Sequence, residues 1–182
     1  MKTTRHAYNF MDDRNKNEFG KNESQLFSVG GPVDWAKVTL RVIGDELDPD
    51  EVSNLLQCEP TSKAKKGDIV ADDGKGHQRV SPIGKWSLHS EEPEDLALEE
   101  QVLKILSRVT EKCEVWQRLT QQYKVDLFCG VFLKEGSWNR GFSLSPTVLK
   151  ELAERNLEIG FDIYSVPDAS PRANDYEPNK RL

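Results

Sequence analysis

An exposed serine in a tight turn, a thiol beside a base, a histidine cluster or a glycine-rich phosphate cradle would each indicate a reaction, and the chain holds fragments of all four. Gly141-Phe142-Ser143-Leu144-Ser145 begins like the G-x-S-x-G elbow of hydrolases, whose glycines permit the sharp turn that presents the serine. Ser145 stands where the last glycine must be, and with Pro146 behind it has a sufficient role as a helix N-cap. Cys129 would need a base beside it to favour the thiolate. Its parity with Val125, Leu127 and Val131 puts it instead on the apolar side of a strand. Cys113 falls in an apolar helical stripe and reads as a second core thiol, while Cys58 is assigned by no pattern. His6, His77 and His89 have no partner at i+3 or i+4 with which to hold a metal. Asp73-Gly74-Lys75-Gly76 lacks the G-x-x-x-x-G-K-[ST] spacing that wraps a phosphate. The expectation is no catalytic residue, no metal and no cofactor.

What does gather is a mixed polar and aromatic set, found by following alternation along each strand. Projecting the side that faces away from the apolar residues collects Arg41, His89, Asp126, Phe128, Asp162 and Tyr164 on one sheet face. Two carboxylates near a guanidinium and an imidazole would shift one another's pKa, and such a surface suits recognition of a polar ligand or a partner. A secondary candidate combines Lys65 and Lys66 of a basic loop with Trp138 and Arg140 of a turn, where an acidic partner or a nucleotide could bind. The loop's acids, Asp68, Asp72 and Asp73, offset its bases, so no nucleic-acid groove is expected.

These residues need a scaffold, and the periodicity predicts one. Lys37 to Ile43 alternates as a first strand with Val38, Leu40 and Val42 inward. Asp48-Pro49-Asp50-Glu51 caps a short helix that carries Val52, Leu55 and Leu56 and ends before Pro60. Residues 61 to 82 read as a long Lys-, Asp- and Gly-rich loop. Gly84 to His89 is a second strand with Trp86 in the core. One long helix is expected from about Pro93 to Gln121, with Glu94 and Asp95 at its positive end and Val102, Leu106, Val109, Cys113 and Trp116 as its stripe. Val125 to Phe132 makes a third strand, paired as a hairpin with a fourth at Gly141 to Leu144. Ser145-Pro146 opens a last helix and Leu157 to Tyr164 closes the sheet. The fold class is α+β: a mainly antiparallel sheet with helices on one face, in two strand-helix-strand units joined by the long helix.

Composition bounds the rest. The 182 residues carry 25 Lys and Arg against 31 Asp and Glu, a net charge of −6 with a mean hydropathy of −0.67. One domain is expected over residues 35–165, between polar tails at 1–34 and 166–182 whose composition cannot offset chain-ordering entropy. An acidic chain is a poor match for phosphate backbones or anionic lipid, so neither nucleic acid nor membrane is expected as a partner. Nothing in the first twenty residues resembles a secretory or spanning segment, and three widely spaced cysteines read as reduced thiols. The chain is therefore expected in the cytoplasm, where the Asn22-Glu23-Ser24 sequon would be idle.

Several blocks carry a resemblance. Gly44-Asp45-Glu46-Leu47-Asp48-Pro49-Asp50-Glu51, Glu59-Pro60-Thr61 and Lys66-Gly67-Asp68 resemble the opening of the bacterial family called domain of unknown function 4279. Gly84-Lys85-Trp86-Ser87-Leu88, Val125-Asp126-Leu127-Phe128-Cys129, Gly141-Phe142-Ser143-Leu144-Ser145-Pro146 and Phe161-Asp162-Ile163-Tyr164 follow in the family's order. The resemblance implies a bacterial origin and a domain over most of residues 37 to 164, and brings no catalytic residue with it. Function is left to the side chains. The expectation is a non-catalytic protein-binding module, with a small polar-ligand sensor or enzyme on the open sheet face as one alternative. The other is an immunity-type protein that neutralises a basic toxin.

Overall fold

The computed structural model describes residues 31–72, 74, 76–91, 96–136 and 139–167. Nine strands and four helices are defined among them: β1 Gly31–Pro32, β2 Trp35–Gly44, α1 Pro49–Leu56, β3 Ser62–Ala64, β4 Ile69–Asp72, β5 Gln78–Val80, β6 Gly84–His89, α2 Leu98–Ser107, α3 Cys113–Gln122, β7 Lys124–Lys134, β8 Arg140–Gly141, α4 Pro146–Glu154 and β9 Glu158–Val166. The architecture is α+β. The main sheet has the order β3-β6-β2-β7-β9. It is mixed: the β3–β6, β6–β2 and β2–β7 pairs are antiparallel, while β9 runs parallel to β7. A mainly antiparallel sheet thus describes the first three pairs and fails at the last, because α4 carries the chain back along the sheet before β9 begins.

Alternation decides which face is covered. Val38, Leu40 and Val42 of β2 are fully buried, as are Trp86 and Leu88 of β6 and Leu127 and Cys129 of β7. They form one core with Val52 and Leu56 of α1, Val102, Ile105 and Leu106 of α2, Trp116 and Leu119 of α3, and Val148 and Leu152 of α4. Since each helix contributes to this one cluster, the helical layer lies on the Val38–Leu40–Val42 side of the sheet. The two predicted caps form. Asp48 Oδ1 accepts from the Asp50 amide at 3.0 Å ahead of Pro49, and Ser145 Oγ accepts from the Val148 amide at 3.4 Å ahead of Pro146.

The long helix does not form as one element. It breaks between α2 and α3 because Thr110 is drawn out of the helical pattern at both ends of its peptide. Its amide donates to the Leu56 carbonyl at 3.0 Å and its carbonyl accepts from the Trp116 indole at 2.8 Å. The break resets the helical phase. Trp116 and Leu119 still face the core, but Cys113, expected in the stripe, is the first residue of α3 and is exposed. Glu94 and Asp95, assigned to the helix start, lie outside the described residues.

Two other expectations change. The 61–82 loop contains β3, which pairs with β6, and the β4–β5 hairpin. The turn of that hairpin is held by Asp72, whose carboxylate accepts from the Gly74 amide and the Gln78 side chain. The second change is at β8, which makes no hairpin with β7. Both flanks of β7 are already taken by β2 and β9, and β8 pairs in parallel with β1 instead.

Candidate functional site

On the side of the sheet away from the helices, the predicted residues fall into three groups. Arg41 of β2 lies directly opposite Asp126 of β7. Its Nε and Nη2 donate to Asp126 Oδ1 and Oδ2 at 2.7 and 2.8 Å, a bidentate pair. The guanidinium also stacks over the Phe128 ring at 4.4 Å. With a side chain only 7% exposed, Asp126 has its two oxygens occupied by Arg41, and Lys124 Nζ stands 3.8 Å from Oδ2. Such a pair orders a surface; it offers no vacant acid or base.

His89, at the end of β6, is opposite Thr39, and its Nδ1 is 3.0 Å from the Thr39 hydroxyl. Its pKa is held below the ordinary value, first by burial and then by the charges of Lys37 and Lys85. The folded state therefore prefers the neutral imidazole, and the stability this gives is complete above the unfolded value of about 6.5. It is lost as pH falls through the lowered folded value. Urea midpoints measured at pH 7 and pH 5 should drop further in the native chain than in His89→Gln; equal drops would show that His89 contributes no such linkage.

Asp162 and Tyr164 lie on β9. The Tyr164 hydroxyl donates to Asp162 Oδ2 at 3.1 Å. Asp126 is opposite Glu158, and Asp162 is opposite Gly130. Four residues along a strand separate Asp162 from that row, roughly 13 Å. The two carboxylates expected to perturb one another thus stand apart, each with its own partner.

Pattern alone missed the feature that joins these strands. Trp35, Phe132 and Tyr164 occupy one row across β2, β7 and β9. Their rings stack in sequence, with centroids 5.3 Å apart at 8° and 5.0 Å apart at 18°. Gly130 lets the rings lie low: a Cβ there would come within 3.2 Å of the Phe132 ring. The signal was in the parity. Trp35 extends the Arg41, Thr39, Lys37 series by one step, and Phe132 extends Asp126, Phe128, Gly130 in the same way.

The secondary cluster does not assemble. Lys65 and Lys66 bind Asp48 and Asp45 at 3.0 and 2.8 Å, beside Lys63 with Asp50 at 2.7 Å. These pairs raise the pKa of Lys65 and Lys66 through their hydrogen-bonded carboxylates and lower that of Asp48. The bases that an acidic partner would need are already neutralised, and they stand at the Gly44 end of β2. Arg140 lies against Gly31, beyond the Trp35 end. The length of β2, roughly 30 Å, separates the two groups. Trp138 lies outside the described residues.

The other reactive candidates are spent structurally. Cys129 is fully buried, and burial pushes its thiol up to about 12. Ser145 caps α4, and Cys58, half-buried, has its thiol raised chiefly by burial. Among the described residues no group of three metal-ligating side chains occurs, and no helix is long and apolar enough to cross a membrane.

No curated protein and no solved structure matches the chain. The family described as Domain of unknown function (DUF4279) matches residues 34–166, a span that begins beside Trp35 and ends with the last residue of β9. It takes in the whole five-stranded sheet and all four helices, and the chain belongs to that family.

Proposed function

We propose that the chain is a non-catalytic binding module that docks a protein partner on the sheet face that none of the described helices covers. The observation that carries this reading is the Trp35–Phe132–Tyr164 stack, an aromatic row across three strands that shares its sheet face with a closed Arg41–Asp126 pair six residues, roughly 20 Å, along β2. Aromatic and arginine side chains are the groups that anchor protein interfaces, and an internally satisfied ion pair is desolvated there at less cost than an unpaired charge. The acid-base alternative loses support because both carboxylate oxygens of Asp126 are committed to Arg41. A cytoplasmic setting in a bacterium goes with this reading, since three widely spaced thiols suit a reducing compartment.

The test compares affinity capture by the native chain with capture by Phe128→Asp and Tyr164→Asp from the native lysate, with thermal unfolding measured for each. A stoichiometric protein held by the native chain and depleted about tenfold or more by either folded variant is the expected result. Equal capture by all three chains, or saturable thermal shifts with a small metabolite and no protein retained, would overturn the reading.

A further inference from the structure

β9 is the last strand in the order of the main sheet, and among the described residues no strand pairs with its outer edge. Natural edge strands are blunted by shortness, lysine, proline or a bulge. β9 has none of these. It is nine residues long, contains no Lys, Arg or Pro, and keeps register with β7 from Glu158 to Val166 without a shift. The Val166 carbonyl accepts from the Glu135 amide at 2.7 Å and so points toward β7. Main-chain direction alternates along a strand, which turns the amides and carbonyls of Ser165, Ile163, Phe161 and Ile159 outward, to the free edge. Their side chains share the helix side of the sheet with Cys129, which is opposite Phe161. The helical layer leaves this margin bare. Ile163 is 64% exposed, and Phe142, whose ring lies 4.7 Å from that of Phe161, is 40% exposed.

A strand that fills this edge must match its spacing of apolar and acidic residues, and β9 matches itself. A two-fold axis at Phe161 sets Phe161 opposite its own copy and Ile159 opposite Ile163, in pairs whose residues all direct main-chain groups at one another. On the other face Gly160 meets Asp162 and Glu158 meets Tyr164, so neither acid confronts an acid. Moving the axis by one residue destroys this. At Asp162 it sets Asp162 opposite itself, and at Gly160 it sets Asp162 opposite Glu158, like charges that oppose pairing. An axis at Ile163 spares the acids but gives up the Ile159–Ile163 pairs and puts Phe161 against Ser165. We propose that β9 pairs antiparallel with β9 of a second copy about Phe161, which joins the two sheets edge to edge and covers each Ile163 with Ile159 of the other chain. Both helical layers then lie on one side and both open faces on the other, so the assembly goes beyond the docking reading and leaves that face clear.

The experiment is sedimentation velocity of the full chain over a concentration series, with circular dichroism to check the fold of each variant. The native chain should sediment as two chains at about 100 μM and dissociate on dilution. Ile163→Lys changes an exposed side chain and should weaken the association about tenfold or more. Gly160 reports the register. A Cβ there meets nothing within 4 Å, so a side chain is accommodated. Gly160→Lys puts a cation opposite Asp162 at two equivalent places and should tighten the association about tenfold, while Gly160→Glu should weaken it by as much. A tighter two-chain species is not a result that unfolding can produce.

A single-chain mass at every concentration up to about 0.5 mM would overturn the proposal. So would a dimer indifferent to Ile163→Lys, or Gly160→Lys and Gly160→Glu acting alike. A dimer abolished by Phe128→Asp but kept by Ile163→Lys would place the contact on the open face instead and would also overturn it.

Discussion

Replacing Arg41 with methionine should lower the unfolding free energy by about 2–3 kcal/mol, because it leaves the Asp126 carboxylate nearly buried with both oxygens stripped of their donors. Breaking a fully buried pair costs more, but the Arg41 side chain is 31% exposed, and water together with Lys124 recovers part of the loss. Methionine keeps a polarisable chain over the Phe128 ring, so packing is not the main variable. The double variant Arg41→Met with Asp126→Leu should return to within about 1 kcal/mol of the native chain, since an apolar pair of similar volume carries no desolvation cost. Urea unfolding of the native chain, Arg41→Met, Asp126→Leu and the double variant gives the coupling energy directly. A coupling below about 0.5 kcal/mol would mean that the two side chains meet without stabilising the fold.

A larger loss, about 4 kcal/mol, is expected for Trp86→Ala. Trp86 is fully buried on the sheet's covered face, and its indole donates to Ser53 Oγ of α1 at 3.1 Å. The alanine variant removes the side chain that spans strand and helix and leaves the Ser53 hydroxyl, itself buried, without its donor. Trp86→Phe keeps most of the volume and should cost about 2 kcal/mol. If the hydrogen bond accounts for the difference, Ser53→Ala should destabilise the native chain and have almost no effect in the Trp86→Phe background. Guanidinium unfolding decides it. A Trp86→Ala variant within about 1 kcal/mol of the native chain would show that the cluster repacks around the missing ring.

What could be read in the sequence was whatever neighbouring residues dictate to one another. The alternation of Val38, Leu40 and Val42 fixes which face of β2 is buried, and the Asp48-Pro49 and Ser145-Pro146 caps are satisfied within three residues. The break at Thr110 was not legible, because the carbonyl that captures its amide belongs to Leu56, far back in the chain. The parallel seat of β9 and the pairing of β8 with β1 depend on which strand flanks are already occupied, and no local pattern encodes that.

The same division runs through the candidate site. Parity put Arg41 and Asp126 on one face, and register then set them opposite each other. Parity carries no register, however, and Asp162 lies well along β9 from the ion pair it was expected to join. Trp35 lies two residues ahead of the Lys37 to Ile43 alternation and Phe132 is as apolar as the core-facing residues of its own strand, so neither stands out in the pattern as a member of the polar face. The lysines of the basic loop looked available for the same reason: their acids, Asp45, Asp48 and Asp50, come from a different stretch of chain.

The position of β9 also bears on how the domain is made. Synthesis delivers β2, β3, β6 and β7 first, so an emerging nascent chain can assemble three antiparallel pairs while the far flank of the eleven-residue β7 is still bare. That flank is a template for strand exchange between neighbouring polypeptides on a polysome until β9 has cleared the ribosome. The α4 crossover that delivers β9 is therefore the step that closes β7 against its own copies during translation.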